Sequence, residues 1–118
     1  MRTTRTNKFG ARRTVYNGVL YASKAEALFA QQLDALVNAG EIRFWVGQPL
    51  FRLGCAENTY RPDFLVIASG GEAWAADVKG VETPAFRRNR KLWIQYGPCE
   101  LRILKRLRDA WAVETIAP

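Results

Sequence analysis

Two short apolar runs in the middle of the chain limit its folding more than anything else in the sequence. Tyr60-Arg61-Pro62-Asp63-Phe64-Leu65-Val66-Ile67 and Ala73-Trp74-Ala75-Ala76-Asp77-Val78-Lys79 both read as strands, and Gly70-Gly71 lies between them as a natural turn. They are therefore expected to pair antiparallel inside one sheet. Each run also carries a charge where an apolar residue would serve packing better. Side chains alternate faces along a strand, so Asp77 and Lys79 point one way and Val78 the other. By the same rule Asp63, Leu65 and Ile67 share one face, opposite Phe64 and Val66. A carboxylate taken out of water without a partner is costly. A metal ion is one of the few partners able to hold two of them; pairing with Lys79 or an arginine is the alternative.

The rest of the chain supplies the elements around this pair. Thr14 to Tyr21 sets Asn17-Gly18 between two β-prone runs, a hairpin pattern. Ser23 followed by Glu26 has capping-box spacing, Ala25, Leu28, Phe29, Leu33, Leu36 and Val37 recur at helical intervals, and Gly40 supplies a stop. Strands are expected near 42–46, 50–53, 60–67 and 73–79. A second helix is expected from Pro84 to about Tyr96, ended by Gly97-Pro98. Leu101 to Leu104 reads as a last strand, and the tail around Leu107 and Trp111 as a short helix. The expected fold is α/β, a central mixed sheet flanked by helices. With 118 residues and an ordinary apolar content, one domain is expected, folding over residues 14–118 after a flexible basic arm at 1–13.

Composition removes several kinds of chemistry. The chain has no histidine, so Ser-His and Cys-His hydrolases and His-ligated zinc sites are excluded. Cys55 and Cys99 have no metal-ligand spacing and read as reduced, incidental thiols. Hydrolysis by such a chain must use carboxylates, lysine and a hard cation such as Mg²⁺. No apolar run approaches membrane-span length and no secretion signal is apparent, so no membrane role and a cytoplasmic location are expected.

The net charge of +7 is segregated. Arg2, Arg5, Lys8, Arg12 and Arg13 open the chain without an acid. Residues 84–108 hold Arg87, Arg88, Arg90, Lys91, Arg102, Lys105, Arg106 and Arg108 against Glu100 alone. The stretch between carries more acids than bases. Two basic flanks around an acidic centre suit a phosphate backbone laid across a cation site. Arg5, Lys8, Arg12 and Arg13 of the arm, with Arg87, Arg88 and Lys91 of the second helix, are the expected backbone contacts. A solvated basic surface is the plainer reading.

Glu26 has two roles open to it. It answers Ser23 as a capping residue, and its helical position beside Phe29 and Leu33 also aims it toward the sheet. Gln48, before Pro49, is a turn residue or a support for the site. Trp45, Trp74 and Trp93 are read as packing residues rather than base-stacking platforms.

Glu26 on a helix, Gln48-Pro49, Tyr60-Arg61-Pro62-Asp63-Phe64 and Asp77-Val78-Lys79-Gly80, with the basic helix through Lys91-Leu92, resemble the PD-(D/E)xK nuclease superfamily. Within it the chain is similar to small phage endonucleases related to Holliday-junction resolvases, and also to the endonuclease subunit of heteromeric transposases. Residues 14–104 carry the likeness. Aspartate stands at position 77, where many members have glutamate. The resemblance implies a restriction-endonuclease-like fold and a DNA endonuclease acting in the host cytoplasm. It implies Glu26, Asp63, Asp77 and Lys79 as catalytic residues. Glu26, Asp63, Asp77 and the Val78 carbonyl would be ligands of Mg²⁺, with Mn²⁺ able to substitute. Four-way or otherwise branched DNA is the implied substrate, and cutting a junction symmetrically implies a homodimer. A nicking, repair or transposase-type nuclease, and a DNA-binding module without catalysis, are the alternatives.

Overall fold

The computed structural model describes residues 12–118. Strands β1 (Thr14–Tyr16) and β2 (Val19–Tyr21) form the expected hairpin. Asn17 and Gly18 both take left-handed backbone angles, with φ of 51° and 80°, as the type I′ turn requires. Helix α1 (Lys24–Asn38) starts where Ser23 Oγ accepts the Glu26 backbone N–H at 3.1 Å. It ends in a Schellman arrangement: Gly40 N–H donates to Val37 O at 3.0 Å and Glu41 N–H to Leu36 O at 2.9 Å, with Gly40 at φ 78°. The arm expected at 1–13 falls almost wholly outside the described residues; only the exposed Arg12 and Arg13 lie within them.

Strand β3 (Ile42–Gly47) follows, then the small antiparallel pair β4 (Phe51–Arg52) and β5 (Thr59–Tyr60). Next come β6 (Phe64–Ala68), β7 (Ala73–Val78), helix α2 (Pro84–Tyr96), β8 (Glu100–Arg106) and β9 (Trp111–Ile116). The main sheet runs β3-β6-β7-β8-β9. β7 and β8 are parallel neighbours joined across α2, and every other neighbouring pair is antiparallel, so the sheet is mixed as expected.

Two expectations are corrected. The run 60–67 is not one strand. Proline has no N–H to give a ladder, and the chain breaks around Pro62, so Tyr60 pairs with Phe51 while Phe64 pairs with Gly47 and Ala76. The tail is strand, not helix. Leu107 N–H bonds Ala110 O at 2.8 Å in a tight turn, and Trp111 to Ile116 then covers the outer edge of β8. A locally ambiguous segment is settled by the ladder it finds in space.

Alternation along the strands divides the interior in two. Phe64, Val66, Ala76 and Leu104 pack against Phe29, Ala30 and Leu33 of α1. Ala75, Leu101 and Ile103 point the other way, packing with Leu53, Tyr60 and with Phe86 and Trp93 of α2. The helices therefore cover opposite faces. Trp93 has no exposed surface; Phe51 and Tyr60 meet its ring edge-on, and its indole N–H donates to Cys99 O at 2.8 Å. Burying each such side chain contributes roughly 1.5–3 kcal/mol. Trp45 and Trp74 also pack, as expected. Trp45 donates to Asp34 at 2.9 Å, and Trp74 lies under the Arg102 guanidinium at 3.9 Å. Asp34 also accepts from the Tyr16 hydroxyl at 2.5 Å, so one carboxylate ties the hairpin and β3 to α1. Cys55 and Cys99 are free thiols. Among the described residues no helix is long and apolar enough to cross a membrane.

Candidate active site

The site forms where β6 begins and β7 ends. The antiparallel register sets Phe64 opposite Ala76, which brings Asp63, just before β6, alongside Asp77 near the end of β7. Asp77 is 3 % exposed, the one buried charged residue among those described. Asp63 Oδ2 accepts the Val78 backbone N–H at 2.8 Å. The Asp63 carbonyl accepts the Gln48 N–H at 2.9 Å. Gln48 thus supports the site through its backbone, while its side chain stays exposed. Its φ of 52° is uncommon for a residue with a side chain. Arg61 donates to the Gln48 carbonyl at 3.1 Å and secures the same turn.

Lys79 follows β7 and lies on the same side as Asp77, as alternation requires. Its Nζ is 3.1 Å from Asp77 Oδ2 and 4.4 Å from the centre of the Phe86 ring at the start of α2. A second donor reaches Asp77 Oδ2 from inside: the hydroxyl of Tyr60, in a short hydrogen bond. Sequence reasoning assigned Tyr60 no role. Its one signal was a phenol two residues before Pro62-Asp63, and only the β4–β5 pairing turns that phenol toward Asp77.

Burial dominates the electrostatics. It pushes the Asp63 carboxyl up to about 9, aided by the neighbouring Asp77 charge and a hydrogen bond to that carboxyl, then by Glu26; the Val78 N–H opposes the shift. Burial likewise raises Glu26, and Asp77 adds to the effect, while Ser23, Lys79 and the Ala22 backbone act against it. Burial raises Tyr60 strongly, with Asp77 and Asp63 adding to it, so the phenol stays a donor. Glu26 thus shares the field of Asp77 and Lys79 while keeping its capping place, with Ser23 Oγ donating to its carboxylate at 3.3 Å. Among the described residues no three Asp, Glu, Cys or His side chains gather into a metal-holding group. The acids brought into direct contact are Asp63 and Asp77.

Of the expected backbone contacts, Arg5 and Lys8 lie outside the described residues, and Arg12 and Arg13 are exposed beside the β1–β2 hairpin. Arg87, Arg88 and Lys91 come together on the first turns of α2, where with Pro84 and Leu92 they line an open recess of about 480 Å³. Thr83 caps this helix and Pro84 takes its first position. Arg88 reaches Asn58 of the β4–β5 turn. Arg90 leaves the cluster, pairing with Glu114 of β9 and lying 3.9 Å from Glu82. A charge run in sequence is split by helical rotation.

A family model described as protein of unknown function (DUF1064) matches residues 6–116. The chain belongs to this DUF1064 family. No curated protein and no solved structure matches it. The matched span takes in every element from β1 to β9, so the site above is built wholly from DUF1064 sequence.

Chemically, this DUF1064 site offers two adjoining carboxyls, one ammonium and no imidazole or thiolate. An all-oxygen donor set suits Mg²⁺ or Mn²⁺ and is poor for zinc or copper. A dication between them would offset both the burial and the mutual repulsion that push the Asp63 carboxyl up, so the residues present fit such a cation.

Proposed function

We propose that the chain is a divalent-cation-dependent DNA endonuclease on a restriction-endonuclease-like fold of the PD-(D/E)xK type. The observation carrying this reading is the convergence of Asp63, Asp77 and Lys79 at one end of two adjacent strands, with the Arg87-Arg88-Lys91 surface on the helix that packs over Lys79. The mixed sheet with helices on opposite faces is compatible with that fold.

Asp63 and Asp77 would hold Mg²⁺ or Mn²⁺, with the Val78 carbonyl and Glu26 at its margin. When bound, the cation supplies charge neutralisation at the scissile phosphate. Lys79 brings its ammonium to the same place, half sheltered between Asp77 and Phe86, where a positive charge stabilises developing negative charge better than in open water. Arg87, Arg88 and Lys91 bind the phosphate backbone without reading bases, so selectivity follows the shape of the DNA, with branched DNA the expected substrate. Paired cuts in a four-way junction require two copies of the chain.

One observation favours a second reading, a DNA-binding module without catalysis. Tyr60 and Lys79 already satisfy the buried Asp77, which gives that charge a purely structural explanation. Incubating the protein with labelled four-way junction, linear duplex and single strand, in Mg²⁺ or in EDTA, separates the two. Mg²⁺-dependent cleavage lost in Asp77→Asn and Lys79→Ala is expected. Binding without cleavage in Mg²⁺ and in Mn²⁺ would overturn the nuclease reading.

A further inference from the structure

The two donors on Asp77 Oδ2 differ in freedom. Tyr60 is buried, its ring wedged edge-on against Trp93 and its backbone paired with Phe51 across β4–β5. Nothing about that packing lets the hydroxyl move. The Lys79 side chain is 22 % exposed and ends on the outer side of the carboxylate, over the Phe86 ring. Four methylenes give it reach that the phenol lacks. A buried carboxylate oxygen stripped of its last donor is costly, so an ammonium acting as sole partner would be pinned in place. Here it is not the sole partner.

We propose that Tyr60 is a positioning residue: its hydroxyl fixes the Asp77 carboxylate, so that Lys79 can leave Asp77 Oδ2 for an incoming phosphate without stranding the charge. The role rests on the nuclease reading above. The hydroxyl sets the carboxylate plane and occupies Oδ2, which leaves Oδ1 as the oxygen free to meet a cation beside Asp63. Asp77 keeps one donor whichever way Lys79 points. The β4–β5 pair thereby becomes part of the site, since its register decides where the hydroxyl lies. No proton need leave Tyr60; it donates throughout.

Tyr60→Phe keeps the ring against Trp93 and deletes only the hydroxyl. Mn²⁺ affinity of the protein without DNA, read by isothermal calorimetry, is expected to fall about 10-fold, the usual effect of losing an outer partner of a ligand. In four-way-junction cleavage with Mg²⁺, kcat is expected to fall about 10-fold or more with KM for DNA little changed, because Lys79 stays held at Asp77 while the basic surface is intact. Installing 4-aminophenylalanine at position 60 restores a donor on the same ring and is expected to bring both values back to within about threefold of wild type. Thermal melting identifies any variant that has lost its fold, and the rescue comparison then decides. A merely structural tyrosine predicts a lower melting temperature with Mn²⁺ affinity and kcat unchanged, which overturns the inference. Wild-type protein that neither binds Mn²⁺ nor nicks DNA overturns the nuclease reading itself. Wild-type activity with a Tyr60→Phe variant equal to it overturns the role of Tyr60 alone.

Discussion

Asp63 Oδ2 accepts the backbone N–H of Val78 at 2.8 Å, so a side chain entering β6 is bound to the main chain leaving β7. Those two strand ends are neighbours only because Gly70-Gly71 turns the chain back; Gly71 sits at φ 98°. The bond anchors one carboxyl beside the other and explains why mutating either acid should affect stability as well as chemistry.

The Asp63 carboxyl titrates near 9 in the folded chain and near about 4 when unfolded, so the folded state retains the proton over that interval. Its contribution is fully present below the unfolded value and is lost as pH rises through the folded one. Without divalent cations, stability should therefore decline from about pH 4 to about pH 9. Asp63→Asn keeps an acceptor for the Val78 N–H and carries no titrating proton. Urea denaturation at a series of pH values should show a flatter profile for the variant, with a gain of about 1–2 kcal/mol at pH 8.

Mg²⁺ or Mn²⁺ should reverse that trend. Binding to the folded state alone stabilises it, by about 2.7 kcal/mol at a hundredfold excess over Kd. Because the carboxyls must be deprotonated to hold the cation, the rise in melting temperature should be larger at pH 8 than at pH 5. Differential scanning fluorimetry checks this. Asp77→Asn should abolish the rise, and equal shifts at both pH values would count against a carboxylate site.

Lys79→Ala should cut kcat for DNA nicking by about 10²–10³, since it removes a positive charge from where negative charge develops. The fold should persist, because Tyr60 still donates to Asp77. Mn²⁺ affinity measured by calorimetry should hold or rise, because the ammonium on Asp77 Oδ2 repels a cation bound by the same carboxylate.

Replacing Arg87, Arg88 and Lys91 together by alanine should weaken duplex binding and reduce the slope of log K against log salt by about 3, close to one for each phosphate that is no longer neutralised. Fluorescence anisotropy over a salt series measures it. Arg90→Ala should leave the slope unchanged, because Arg90 is committed to Glu114 and Glu82.

Trp93→Ala should cost about 3–5 kcal/mol in chemical denaturation. It empties the space between Phe51, Tyr60 and α2 and leaves the Cys99 carbonyl without its indole donor.

Local chemistry in the sequence was enough to determine the hairpin at Asn17-Gly18, both helices with their starts at Ser23 and Pro84, and the shared face of Asp77 and Lys79. Turn angles, capping bonds and side-chain alternation act over a few residues, and those residues are adjacent in the chain. Where the partners are distant in sequence, the tertiary structure decided. Trp111 to Ile116 became strand because the edge of β8 was open, and Arg90 left its basic neighbours because Glu114 stood within reach. Gln48 supports Asp63 through a backbone N–H, a group every non-proline residue possesses and no sequence pattern marks. Tyr60 faces Asp77 across seventeen residues through the register of a two-residue strand. Residue type set which groups could bear charge in the interior. Only the folded chain, by excluding water and bringing β5, β6 and β7 together, decided which of them meet.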